Sequence, residues 1–234
     1  MNKNEQLLEV KSGQLGTGLL IEHDGHIEGN NDIVKQIHED IENHHKFVIP
    51  EHFVVSAVFQ KYGIKNANGR VYPEKVLKRE VEKYLEKIQN RNALGSLDHP
   101  SSSSLSGHDI SHNILNLEWR NKTLVGEMEL HLSPGYIRYG VCSTSGDLAA
   151  NMILSNYLIG VSSRGVGSVE DKFGVYTVGD DFELICWDIV IENSTPGAII
   201  RNTMDELQPY VENSNYNGKQ INEKINKIQK ILTL

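Results

Sequence analysis

Only two cysteines occur in 234 residues, Cys142 and Cys186, and they are far apart. That excludes a disulfide framework and makes a reducing cytoplasm the expected setting. Positive charge is also scarce: 23 Lys and Arg stand against 31 Asp and Glu, a formal net charge of -8. A phosphate-binding surface needs the opposite sign, so no direct nucleic-acid role is expected. No apolar run approaches the roughly 18 residues of a membrane-spanning helix, and no membrane partner is expected. The opening MNKNEQLLEVKSG lacks the apolar core, about 7–15 residues long, of a secretory leader. There is no internal repeat, no GxGxxG and no P-loop. The remaining composition, 38% hydrophobic and 23% charged, is that of an ordinary globular chain with one large domain or two small ones.

Strand and helix signals are interspersed without a βαβ rhythm. FVVSAVF (Phe53–Phe59) is β-branched and aromatic, so a buried strand is expected. Asn68-Gly69 marks a turn, and Pro73 suits the first turn of a helix. Val76, Leu77, Val81, Leu85 and Ile88 then recur on one helical face, and Glu74–Lys78 forms an i,i+4 pair. Ile114–Trp119 and Leu124–Leu130 alternate around Asn121-Lys122, the pattern of a hairpin. A helix is expected over Asp147–Tyr157, with Asp147 as its cap. Strands follow at Val175–Val178 and Phe182–Ile191. Residues 1–45 read as a loose arm with one short strand near Leu19–Ile21. Residues 211–234 read as a polar linker and an amphipathic helix carrying Ile221, Ile225, Ile228 and Leu232. The expected class is α+β, with a mainly antiparallel β-sheet or β-barrel core surrounded by helices.

One stretch resists this scheme. IGVSSRGVGS (Ile159–Ser168) begins as a strand and continues with two serines, an arginine and several glycines. Glycine weakens a strand, so a strand-to-turn transition is expected after the serines. Such a turn can expose a hydroxyl and aim backbone N–H groups at an oxyanion. A serine becomes a nucleophile when a base takes its proton, and that base is usually histidine. Of ten histidines, His99 stands out, because it ends an apolar run and precedes Pro100. Proline holds the residue before it in an extended conformation, as a general base requires.

FQKYGIKNANGRVYP, ALGSLDHP and LIGVSSRGVGS, in that order, resemble the prohead core proteases of large tailed bacteriophages. These are serine peptidases whose fold is similar to that of the herpesvirus capsid-maturation protease. The resemblance runs from about Phe53 to about Ala198 and implies a protease domain over 46–210. It implies His99 as the base and Ser162 as the nucleophile, with Ser163 as the alternative. Neighbours in a strand point to opposite faces, so only one of the two serines can face His99. Arg164 and Gly165 would support an oxyanion hole. Asp98 adjoins His99, but adjacent side chains diverge on an extended backbone. Asp188, inside the apolar strand ELICWDIVIEN, is the stronger third member, since an unpaired carboxylate there would be costly.

The resemblance further implies a serine endopeptidase that needs no cofactor or metal. It would act inside the assembling prohead, in the cytoplasm of the infected bacterium. Its partners would be scaffold or core proteins and the major capsid protein as substrates, and further copies of itself in a homo-oligomer. Cleavage after an apolar-x-Glu tripeptide would fit LLE (Leu7–Glu9) and INE (Ile221–Glu223), so self-cleavage near Glu223 is expected. Two rival readings differ in class. A procapsid core protein with the same fold would need no catalysis. A zinc hydrolase would use His108 and His112 of HDISH, but that motif lacks the glutamate of HExxH.

Overall fold

The computed structural model describes residues 16–21, 51–100, 102–155, 157–191 and 200–201, together with Glu39, Ile49 and Thr195. The expected self-cleavage sites, the linker and the C-terminal helix lie outside these residues. In chain order the elements are β1 (Gly16–Ile21), β2 (Val54–Lys61), β3 (Arg70–Val71), α1 (Glu74–Gln89), β4 (Leu94–Ser96), β5 (Ile110–Arg120) and β6 (Thr123–Leu130). Then follow α2 (Pro134–Tyr139), α3 (Ser145–Leu154), β7 (Gly160–Lys172), β8 (Val175–Val178), β9 (Glu183–Val190) and β10 (Ile200–Arg201).

The strands form two five-stranded sheets. One runs β10-β2-β6-β5-β4 and the other β1-β7-β8-β3, with β9 also paired to β7. All named pairings are antiparallel except β3 with β8. The α+β class holds, but the sheets do not close into a barrel. The first ends in β10 and β4, and the second, in which β7 branches to β8 and β9 along its length, ends in β1, β3 and β9. β1 belongs to the expected N-terminal arm, yet it pairs with β7 from Gly16 opposite Val169 to Ile21 opposite Arg164.

The core lies between the sheets and α1. Trp187 of β9 sits edge-on to Tyr84 of α1 at 4.9 Å and to Phe59 of β2 at 5.6 Å. Its indole N–H donates to Gln60 at 3.3 Å, which satisfies both buried polar groups. The buried face of α1 is Val76, Leu77, Val81 and Tyr84, and it includes Glu80, while the expected Leu85 is 38% exposed. Glu80 is tolerated there because Arg79, Lys83 and the Leu184 N–H all donate to it. Arg79 also donates to the Asp180 and Phe182 carbonyls, and Lys87 to that of Ile185. Polar side chains of α1 thus occupy backbone groups along the β8–β9 turn and β9.

The expected turn after the serines is absent: GVSSRGVGS lies wholly within the 13-residue strand β7. Its glycines serve packing. A methyl group on Gly165 would sit 2.5 Å from the Phe182 ring, and one on Gly167 2.8 Å from the Phe182 Cα. The ring, itself edge-on to Tyr72 at 5.3 Å, takes the space that side chains would fill. Asp147 is not the N-cap of α3. Thr144 caps the helix and Asp147 closes a capping box with it from the N3 position.

Candidate active site

Register sorts the two serines. Along β7 and β9, Ser162 stands opposite Asp188, Ser163 opposite Trp187 and Arg164 opposite Cys186. Residues directly opposite in an antiparallel pair share a face. One face therefore carries Ser162, Arg164, Asp188 and Cys186. The other carries Ser163 with Trp187, whose ring is in the aromatic core. The Ser163 hydroxyl is buried there with no hydrogen-bond partner.

The segment after β4 brings in His99. Leu97 bridges Ile189 in parallel, and the Asp98 N–H donates to the Ile189 carbonyl at 2.8 Å. Asp98 then takes a left-handed backbone, φ 62°, which aspartate tolerates better than most residues. This reversal leaves Asp98 exposed and tucks the His99 side chain in, at 2% exposure. His99 Nδ1 lies 2.7 Å from Asp188 Oδ2. Asp98, adjacent in sequence, does not meet the His99 ring; Asp188, 89 residues on, does.

Asp188 is fully buried and fully satisfied. Oδ2 also accepts from Arg164 Nε at 2.8 Å. Oδ1 accepts from the Ser96 N–H at 2.9 Å, from Arg164 Nη2 at 3.1 Å and from Cys186 Sγ at 3.3 Å. Burial by itself would raise this carboxyl. The hydrogen bond and charge of His99, with the Arg164 guanidinium, outweigh it and hold the group below the usual carboxylate range. Arg164 is equally buried, with Nη1 donating to the Ser102 carbonyl at 2.6 Å and Nη2 touching Cys186 Sγ at 3.2 Å. Its guanidinium therefore lies on Asp188. Gly165 lies between Leu20 of β1 and Leu184 of β9, paired on both edges. Burial and the neighbouring Asp188 charge push the Cys186 thiol up, so it is a neutral donor here.

The two histidines of HDISH separate. His108 is exposed in a turn, whereas His112 is fully buried in β5. Its ring lies against Gly95, where a Cβ would run into both the ring and the Trp187 carbonyl. Ser111 Oγ is 2.9 Å from His112 Nδ1. Burial pushes His112 down to about 4, although Asp188 and the Trp187 carbonyl pull the other way. Nothing in the local residue pattern pointed to His112, Cys186 or the Ser102 carbonyl as neighbours of Asp188. Their common signal, polar residues inside apolar surroundings, is one that many buried groups share.

Comparison with known proteins bears on this cluster. The prohead core protein protease of Enterobacteria phage T4 is 29% identical over 147 residues. That match spans 62% of this chain and 66% of the relative, just under two thirds of its length. The solved structure of the bacteriophage T4 capsid assembly protease, gp21, shares the fold with a TM-score of 0.56 at 23% identity. It covers 74% of this chain and 96% of that one. The sequence model of the family described as prohead core protein serine protease matches residues 19–208, a span that holds every residue around Asp188, and the chain belongs to that family.

Proposed function

We propose that this chain is a serine endopeptidase of capsid maturation, with Ser162 as nucleophile, His99 as base and Asp188 as the residue that orients the base. The observation that carries the reading is the position of Asp188, bonded to His99 and directly opposite Ser162 on the same sheet face. With Nδ1 on Asp188, Nε2 is the nitrogen that takes the Ser162 proton. The hydroxyl oxygen attacks a peptide carbonyl, His99 protonates the departing amine, and water releases the acyl group. The oxyanion falls to backbone N–H groups; Arg164 and Gly165, the positions expected for it, are paired with both β1 and β9, and the Arg164 guanidinium lies on Asp188, so neither is assigned that role. Ser163, facing Trp187, is the poorer nucleophile. The substrates are scaffold or core proteins and the major capsid protein within the assembling prohead, and the chain cuts itself near Glu223.

The test uses wild type, Ser162→Ala and Ser163→Ala, each incubated with the scaffold protein of the same genome. Fragments and the intact mass of the enzyme are read by mass spectrometry. Loss of cleavage in Ser162→Ala alone is expected, with wild type losing a C-terminal peptide that ends the chain at Glu223. Equal cleavage in all three would remove the nucleophile. An inert wild type would favour a non-catalytic core protein.

A further inference from the structure

Asp188 is held by an imidazole and a guanidinium, and the mechanism above uses the first. The other, Arg164, meets both carboxylate oxygens through Nε and Nη2, and reaches the Ser102 carbonyl through Nη1. Arg164 and Asp188 are both sealed from solvent. One guanidinium therefore ties the acid on β9 to the backbone three residues beyond His99. We propose that Arg164 is a positioning residue, a clamp that fixes the Asp188 carboxylate and the His99-bearing segment as one unit. The inference rests on the protease reading.

The geometry explains why arginine is required. A planar fork on both oxygens stops the carboxylate from rotating, so Oδ2 stays aimed at His99 Nδ1. The third arm holds a segment whose other anchor is the Asp98 N–H on Ile189. His99 thus lies between two fixed points, one on each side along the chain. A lysine, with a single compact ammonium, cannot span two carboxylate oxygens and a carbonyl. The clamp also has an electrostatic consequence. Arg164 and protonated His99 compete for one negative charge, so removing the arginine favours the protonated base. The groups facing Asp188 are His99 from the segment after β4, Arg164 from β7 and Cys186 from β9. His112 of β5 and Tyr84 of α1 feel its charge from farther off.

The experiment labels the full-length protein with a fluorophosphonate and reads modification of the Ser162 peptide by mass spectrometry across pH. Hydrogen exchange of residues 97–104 is measured in parallel. Arg164→Lys and Arg164→Gln should both slow labelling by about 100-fold, the scale of a small misplacement of a catalytic group. Exchange of 97–104 should accelerate in both. In Arg164→Gln the acid limb of the labelling profile should move to higher pH, and added guanidinium should restore part of the rate. Wild-type labelling, an unmoved acid limb and unchanged exchange in Arg164→Gln would overturn the clamp. If Arg164→Gln does not fold, Arg164→Lys decides, and wild-type rate and exchange in that variant would overturn it. A wild type never labelled at Ser162 would sink the protease reading, and with it any catalytic role for the clamp.

Discussion

Two aspartates among the described residues are completely buried, and they are held in opposite ways. Asp147 accepts from the Ser133 N–H and hydroxyl at 2.7 Å each, from the Ser143 N–H and hydroxyl, and from the Thr144 N–H. All five donors are neutral. Asp188 accepts from a histidine and an arginine, with only one backbone N–H and a thiol beside them. Burial would raise both carboxyls, yet both sit below the usual range. Asp147 gets there through backbone and hydroxyl dipoles, which knit the N-termini of α2 and α3 together. Asp188 gets there through the fixed charge of a guanidinium and through the hydrogen bond of an imidazole, a group that can gain and lose a proton. A buried carboxylate thus shows its purpose less by its own burial than by whether its partners titrate.

That contrast can be broken most sharply by neutralising each carboxylate in turn. Asp188→Asn should lower the cleavage rate by about four orders of magnitude, since an amide neither fixes the histidine tautomer nor stabilises an imidazolium. It also leaves Arg164 buried without its counter-charge, a loss of about 3–5 kcal/mol. Cleavage kinetics and denaturant melts on the same preparation separate the two effects. Wild-type cleavage would return Asp188 to the category of Asp147.

Another buried titratable group near Asp188 sharpens the comparison. His112 has a folded value of about 4 against an ordinary value near 6.5, so the fold favours its neutral form. Its contribution to stability is whole above about pH 6.5 and drains away as pH falls towards 4. The loss is on the order of 3 kcal/mol at most. Unfolding free energies across that window should fall in wild type and flatten in His112→Gln. An identical slope in both would mean that the ring is not held neutral.

The smallest effect belongs to Asp147→Asn. Losing the anion but keeping an acceptor should cost about 2 kcal/mol of stability. It should leave the cleavage rate unchanged at temperatures where the protein is folded. A specific loss of cleavage would mean that α2 and α3 support the site as well as the core.

Much of this arrangement was legible before the fold. Strand and helix periodicities located β2, α1, the β5–β6 hairpin, β8 and β9, because apolar spacing is a local property. His99 before a proline and Asp188 in an apolar strand were readable for a similar reason: each is conspicuous in its own few residues. The glycines of β7 misled, since their role depends on Phe182 fitting over them. Leu85 was placed inside because the stripe ignored Glu80, whose partners come from β9 and from the helix itself. Arg164 was expected at an oxyanion, and its actual partners, Asp188 and Ser102, lie 24 and 62 residues away. β3, β4 and β10, two or three residues each, carry no periodicity to read.

The distance of 89 residues between His99 and Asp188 has a meaning in time. A chain leaves the ribosome from its N-terminus, so His99 is made first, the serines next and Asp188 last. Until β9 has emerged and paired with β7, neither His99 nor Arg164 has the Asp188 carboxylate to meet. A growing chain therefore holds an unassembled cluster, and the order of synthesis alone delays whatever chemistry that cluster performs.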